Sequence, residues 1–327
     1  MPEILILTDG KAGHENQSKA FARALGCTFS TMRVSFRFKG AKTLSYLLDR
    51  CGANPLSLVK FEGGIPAPGR FAAVVGAGSG VFYAVKALAR RIGAPSGAVL
   101  YPRGYSLRGF TCILAPAFDR PAGLPNVVPV PVNLTAGDEA FYAEGTSRFL
   151  ARHKPSGRPA AAVILGGPNK VASMTPQWAA ETLKAVFADT PECEHWITTS
   201  RRTPPEVEAV VDSFPFDYKL VYSRDNFNPI PAFVSLAKRL FVSAESTGML
   251  SEAVAFGVSE VSILDDIGEG STKFHRFAAG LVSSGAASVF SPGVPGGARK
   301  VDLSPAFAKA AELLGIEGAG GAAEGAT

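Results

Sequence analysis

At 327 residues the chain is longer than one small core needs and suits two domains of roughly 100–200 residues each. Hydrophobic residues at 46% and charged residues at 19% exclude wholesale disorder, and 35 glycines with 24 prolines fit a fold rich in strand-to-helix loops better than a helical bundle. The net charge of +5 is split unevenly, 19 Lys and Arg against 9 Asp and Glu in residues 1–155 but 14 against 19 in residues 156–327, so a basic half that could meet an anionic membrane, a nucleic acid or a phosphorylated substrate precedes an acidic one.

In chain order, residues 4–8 read as a buried strand, and residues 16–25 as a helix that stops at Gly26. A second apolar strand over 71–75 enters Gly76-Ala77-Gly78-Ser79-Gly80, and a helix then runs through Arg91 to end near Gly93. Strands follow at 98–101, 111–115 and 127–132. The polar, proline-bearing stretch 153–159 reads as a linker. The pattern then restarts: a strand at 160–165, a tight loop at 166–170, a helix at 176–188, a strand at 195–199 and a helix at 204–212. Further strands are expected at 220–222, 240–242 and 260–264, with helices at 231–239, 247–256 and 307–314. Short apolar strands alternating with helices predict an α/β fold of parallel sheets covered on both faces. The predicted architecture is two Rossmann-like, doubly wound domains, 1–155 and 156–315, facing a central cleft, followed by a Gly/Ala-rich flexible tail at 316–327.

No apolar run reaches the ~18–20 residues of a membrane-spanning helix, and the opening residues read as a strand, not a leader. Cys27, Cys51, Cys112 and Cys193 lie far apart with no Cys-x-x-Cys pair. That argues against a zinc centre or a disulfide framework and for a cytoplasmic protein.

In doubly wound folds ligands bind beyond the carboxyl ends of the strands, which directs attention to five loops. Asp9, Gly10, Gly13, His14, Glu15 and Gln17 lie in the first, where two glycines permit a sharp turn and His14, Glu15 or Asp9 is a candidate general base on an acceptor hydroxyl. The glycines around Gly78 have the spacing GxGxG and no acidic residue ends the next strand, so they read as a wall of the cleft and not as a dinucleotide fingerprint. Gly166 and Gly167 can offer a pair of backbone amides to an anion, or simply turn the chain. In Thr198-Thr199-Ser200-Arg201-Arg202-Thr203-Pro204, two guanidiniums beside hydroxyls and a helix start suit a phosphate. In the segment 243–253, the amides of a helix beginning near Ser246, Thr247, Gly248 and Met249 suit a pyrophosphate, and Glu252, one turn deeper on the same face as Gly248, suits a ribose diol. Lys273-Phe274-His275-Arg276-Phe277 closes on phosphate or sugar, or else forms a surface helix with its two phenylalanines packed inward. Arg33-Val34-Ser35-Phe36-Arg37-Phe38-Lys39, with Lys42 just after, alternates basic and apolar residues and reads either as contact with anionic lipid or as an edge strand protected by charge.

Thr8-Asp9-Gly10-Lys11-Ala12-Gly13-His14-x-x-Gln17, the 198–204 motif, Asp225-Asn226 and Ser246-x-x-Met249-x-Ser251-Glu252-Ala253 resemble the mitochondrial-fission ELM family of bacteria and plants. The match runs in order from Thr8 to about Phe277. That family looks like the GT-B glycosyltransferases, with the nucleotide-sugar donor on the second domain. The resemblance implies that Glu252 holds the donor ribose and the 246–249 turn the diphosphate. It places His14 where the peptidoglycan GlcNAc-transferase has its glycine-rich acceptor loop. Two departures stand out: Phe118 occupies the position where a His is expected before Asp119, and Asn226-Phe227-Asn228-Pro229 is longer than the family's Asn-Pro-Tyr.

The expected function is a metal-independent glycosyltransferase in which His14, Glu15 or Asp119 deprotonates a lipid-linked or anionic acceptor. Gly166, Gly167, Ser200, Arg201, Arg202, Asn226, 246–249, Glu252 and Lys273 would bind the nucleotide-sugar donor, of unknown base. No cofactor, metal or nucleic acid is expected; Asp265-Asp266 is only an adjacent pair. A peripheral site at the inner membrane face is expected for a basic first domain. The alternatives are a nucleotide-sugar 2-epimerase of the same fold, or a non-catalytic adaptor of the fission type.

Overall fold

A computed structural model describes residues 1–135, 137–267, 270 and 272–316. The chain forms two compact units. The second is Gly137–Val301; the first begins at Met1 and resumes at Asp302.

The first unit is a seven-stranded sheet of β1 (Glu3–Thr8), β2 (Thr28–Phe36), β3 (Val59–Phe61), β4 (Ala73–Ala77), β5 (Ser96–Val99), β6 (Cys112–Pro116) and β7 (Val127–Val130), in the order β3-β2-β1-β4-β5-β6-β7. All pairs are parallel except β2 with β3. Side chains alternate between the two faces of a strand, so Leu5, Leu7 and Val74 join α2 (Ala41–Arg50) and α3 (Phe82–Ile92) on one side. Ile4, Ile6, Ala73 and Val75 join α1 (Ala12–Ala24) on the other. The alternating segment 33–36 ends β2, with Val34 buried and Arg33 outward. It is not the sheet's edge: β3 covers it, and Arg37 Nε donates to the Val59 carbonyl at 3.1 Å.

The second unit opens with α4 (Glu139–Leu150) and carries a six-stranded, wholly parallel sheet. Its strands are β8 (Ala160–Ile164), β9 (Glu194–Thr198), β10 (Tyr218–Leu220), β11 (Arg239–Ser243), β12 (Glu260–Leu264) and β13 (Ser288–Val289), ordered β10-β9-β8-β11-β12-β13. The helices between them are α5 (Pro176–Asp189), α6 (Pro205–Ser213), α7 (Ile230–Leu236), α8 (Thr247–Ala255) and α9 (Lys273–Ser283).

The stretch 153–159, expected as a linker, is instead anchored inside this unit. Buried Glu194 accepts hydrogen bonds from Ser156 N and Oγ, both at 2.6 Å, and from Trp196 Nε1 at 2.7 Å, with His153 Nε2 at 2.5 Å. Burial works against its charge, yet these bonds hold the carboxyl at about 2. The unit boundary accordingly falls at Gly137 and not at 155/156. A last helix, α10 (Ser304–Leu314), was expected in the second domain but belongs to the first: Ala310, Ala311 and Leu314 pack with Leu114, Val128 and Val130 of β6 and β7. Of the expected tail, 317–327 lies outside the described residues. Among the described residues no helix is long and apolar enough to cross a membrane.

Candidate functional site

In the second unit the carboxyl ends of β8, β9, β11 and β12 bring together the residues that could bind an anionic ligand. Ser243 of β11 stands opposite Leu264 of β12, so Glu245 and Asp266, each two residues further on, come side by side at the ~4.8 Å spacing of neighbouring strands. Both are buried. The Glu245 amide donates to Asp266 Oδ1 at 3.2 Å. Burial, reinforced by the Glu245 charge, pushes the Asp266 carboxyl up to about 8. Asp266 therefore keeps its proton at neutral pH. That proton reconciles the two carboxyls, whose outer oxygens, Glu245 Oε2 and Asp266 Oδ2, are buried and receive no hydrogen bond from any other donor. The sequence reading gave neither residue a role; the signal was an acid at the same offset after two strands, visible only once those strands are known to be neighbours.

Glu245 corrects the expectation for Gly166 and Gly167. Their amides do not await an anion: Gly166 N–H donates to Ser243 Oγ and Gly167 N–H to Glu245 Oε1, each at 2.9 Å. The protein's own carboxylate fills that place. A Cβ at Gly166 would overlap the Glu245 carboxylate, and one at Gly167 the Arg202 carbonyl, so both glycines are there for close approach.

The two arginines divide. Arg202 Nη1 donates to the Gly167 carbonyl and Nη2 to Glu245 Oε1, both at 3.0 Å. Ser200 Oγ and Thr203 Oγ1 donate to the Gly166 carbonyl at 2.7 and 2.5 Å. Arg202 and Ser200 thus frame the turn. Arg201 makes no hydrogen bond or ion pair among the described residues, and it lines a cavity of about 400 Å³. Its lining combines Thr199, Ser200 and Arg201 with Phe227, Pro229, Ile230 and Met249. Met249 lies in the first turn of α8, whose N-cap Ser246 makes no side-chain capping bond. Beyond Thr247, Gly248 is exposed and a Cβ there would meet nothing within 4 Å.

Three predicted donor residues fall off this wall. Asn226 is exposed and Asn228 lines the cavity instead. The Glu252 carboxyl lies against the Tyr142 hydroxyl of α4. Burial raises it to about 7 against that hydrogen bond. Tyr142 itself stacks on Phe256 at 3.8 Å between ring centroids. Lys273 is exposed, 5.2 Å over the Phe274 ring at the start of α9, and Phe277 is buried; the segment is a surface helix.

In the first unit, the loop after β1 sets His14, in the first turn of α1, against Asp9: Nδ1 lies 3.2 and 3.3 Å from the two carboxylate oxygens. Burial opposes the Asp9 charge, but the Lys11 amide (3.3 Å) and His14 outweigh it and hold the carboxyl below its usual range. Gly10, at φ +82°, makes the turn, while Gly13 is exposed with open space around it. Gly78, at φ +87°, lies directly under the His14 ring, and a Cβ at Gly80 would sit 2.6 Å from Asp9 Oδ2. With Nδ1 against Asp9, the ring's Nε2 points away from that carboxylate.

The other base candidates are engaged. Glu15 is held below its usual range chiefly by Lys19, 2.6 Å away, with Thr8 Oγ1 donating to it at 3.1 Å. Asp119 pairs with Arg103 at 3.0 Å. It follows β6, three strand spacings from β1, or about 14 Å. The Gln17 side-chain oxygen is buried without a hydrogen-bond partner. Among the described residues no group of three or more His, Cys, Asp or Glu is placed to hold a metal.

The role of Gly78 is testable. Gly78→Ala is expected to swing the His14 ring off Asp9, and to cost about 1–3 kcal/mol for an alanine at positive φ. Urea denaturation and a crystal structure of the variant measure both; an undisturbed Asp9–His14 contact contradicts the reading.

Known proteins were compared with this chain. Solved structures similar to it include the UDP-GlcNAc 2-epimerase of Methanocaldococcus jannaschii in complex with UDP-GlcNAc and UDP (12% identical, covering 97% of this chain and 92% of that one, TM-score 0.46). They also include the UDP-GlcNAc 2-epimerase of Neisseria meningitidis bound to UDP-GlcNAc (12%, 97% and 96%, TM-score 0.48) and the glycosyltransferase SnogD of Streptomyces nogalater (14%, 96% and 94%, TM-score 0.45). No curated protein matches the sequence. The family model described as mitochondrial fission ELM1 matches residues 12–314. With nearly its whole length inside that match, the chain belongs to the mitochondrial fission ELM1 family.

Proposed function

We propose that this protein is a nucleotide-sugar-dependent glycosyltransferase whose second unit binds the donor and whose first unit activates the acceptor. The observation that carries the reading is the cavity at the carboxyl ends of β9 and β11, whose lining combines a free guanidinium and hydroxyls with aromatic and aliphatic side chains that can serve as a slot for a flat group. A nucleoside diphosphate has that polarity: a flat base for the slot and a diphosphate for Arg201 and the amino end of α8. Those groups meet the charge that develops on the departing diphosphate, and no step needs a metal ion to do so.

In the first unit, His14 Nε2 takes the proton of the acceptor hydroxyl while Asp9 orients the ring and stabilises the imidazolium. The acceptor oxygen bonds to the anomeric carbon as the bond to the diphosphate oxygen breaks, and its electron pair leaves with the diphosphate. A lipid-linked or anionic acceptor at a membrane surface is the substrate class that the basic first half suits.

Calorimetric titration with UDP, GDP, ADP and CMP tests the donor half. One of them is expected to bind, and Arg201→Ala to weaken that binding at least about tenfold, the value of a charge-assisted phosphate contact. Absence of binding by all four at millimolar concentration defeats the proposal. A 2-epimerase would use the same donor cavity and a base for the C2 proton but no separate acceptor; it is recognised by exchange at C2 of the sugar in deuterated water.

A further inference from the structure

Helix α2 turns Ser45 and Asp49 inward, beside the half-buried Tyr46 and Leu48 that pack on the core. Its buried positions are Ala41, Ser45 and Asp49, four residues apart on one face. Asp49 is satisfied there: it pairs with buried Lys86 of α3 and accepts from Ser106 N at 2.6 Å and Asn54 Nδ2 at 2.8 Å. Leu44 and Leu47, one turn apart, face solvent at 38% and 62% exposure. Phe38, two residues before the N-cap Gly40, is 54% exposed. Three large apolar side chains exposed within ten residues of chain are a feature of contact surfaces.

The charges around the cluster say what kind of contact. Arg37, Lys39, Lys42 and Arg50 are all exposed, and the one acid between residues 37 and 50 is the buried Asp49. Glu62, exposed just after β3, lies 3.9 Å from Arg33. A second copy of this chain fits poorly, because a two-fold contact would set these cations against their own copies. A surface that is apolar within and anionic above matches both features.

We propose that the 37–50 face docks on an anionic lipid bilayer, with Phe38, Leu44 and Leu47 entering the headgroup boundary and Arg37, Lys39 and Arg50 over the lipid phosphates. Lys42 links this face to the candidate acceptor site, since its Nζ donates to Ser79 Oγ at 2.9 Å. Ser79 lies between Gly78, which seats the His14 ring, and Gly80, against which Asp9 packs. The docked helix therefore borders the Asp9–His14 pair. Taken with the proposed function, on which this step rests, it identifies the acceptor as a hydroxyl or phosphate-bearing headgroup presented at the bilayer surface.

The test is flotation of the full chain with two kinds of vesicle, phosphatidylcholine alone and phosphatidylcholine with about one part in three phosphatidylglycerol. The wild type is expected to float with the second kind only, and to be released by high salt. Leu44→Gln/Leu47→Gln is expected to lower binding about tenfold or more, and Lys39→Ala about fivefold. Both changes are at exposed positions, and unchanged circular dichroism and urea unfolding of the same samples show that the variants remain folded. Equal binding to neutral vesicles, no binding to anionic ones, or variants that float like the wild type each overturn the proposal. So does self-association of the wild type, seen by sedimentation without lipid and lost in the leucine variant, since the face would then be homotypic. Because nucleotide binding is read separately, failure here leaves the donor site standing, and failure there leaves the membrane face standing.

Discussion

Replacing His14 with alanine is expected to lower the transfer rate by about 10²–10⁴-fold, the usual worth of a positioned general base, while leaving the affinity for nucleoside diphosphate unchanged. The two effects separate because His14 belongs to the first unit and the nucleotide cavity to the second. Asp9→Asn keeps the shape but removes the negative partner 3.2 Å from Nδ1, so it should fall between wild type and His14→Ala. Glu15→Gln should change the rate little, since that carboxylate is already committed to Lys19 and Thr8. Initial rates of nucleoside diphosphate release, with and without acceptor membranes, measure all three. Loss of activity in Glu15→Gln with retention in His14→Ala would reassign the base.

The second large effect is on stability as a function of pH. Asp266 has its carboxyl raised to about 8 in the folded protein, by burial first and by Glu245 second, from the usual 3.8. A raised acid stabilises the fold fully below its unfolded pKa, and that stabilisation is lost as pH climbs towards the folded value. Between about pH 4 and pH 8 the wild type should therefore lose stability through this group, on the order of 1.4 kcal/mol for each unit at most. Glu252, raised to about 7, acts in the same direction. Glu194, lowered to about 2, acts in the opposite direction and only below about pH 4.5, where its contribution fades as acid is added. Asp266→Asn retains a donor for Glu245 without an ionisable proton, so it isolates the first contribution. Urea unfolding at pH 5 and pH 8 should show the wild type losing several kcal/mol more than the variant. Parallel curves would mean that the two carboxyls do not share a proton.

Much of the architecture was legible because parallel strands buried on both faces read as apolar runs: 4–8 and 160–165 proved to be central strands, and the run expected at 71–75 proved to be another, shifted to Ala73–Ala77. What escaped has physical causes. α2 escaped because its fully buried positions are the small or polar Ala41, Ser45 and Asp49, while two of its three leucines, Leu44 and Leu47, face outward. α4 has few buried positions, Tyr142 and Phe149 among them, and so little periodicity. The 153–159 stretch looked like a linker because its polar residues suggest solvent, whereas they serve one buried carboxylate 35 or more residues away.

At the site, Arg201, Met249, Asp9 and His14 could be found from loop position alone. Glu245 and Asp266 could not, since their meeting depends on strand order. Nor could the division of labour between Arg201 and Arg202, which depends on which guanidinium reaches the Gly167 carbonyl.

The return of α10 to the first unit has a consequence for how the molecule is made. Leu314 and its neighbours complete the apolar layer over β6 and β7, yet they emerge from the ribosome only after every residue of the second unit. The carboxyl-terminal lobe can reach its final packing while the amino-terminal one, though synthesised first, still waits with an uncovered flank. Vectorial synthesis thus runs against the order of completion, and the amino-terminal lobe keeps an uncovered flank until α10 has been made.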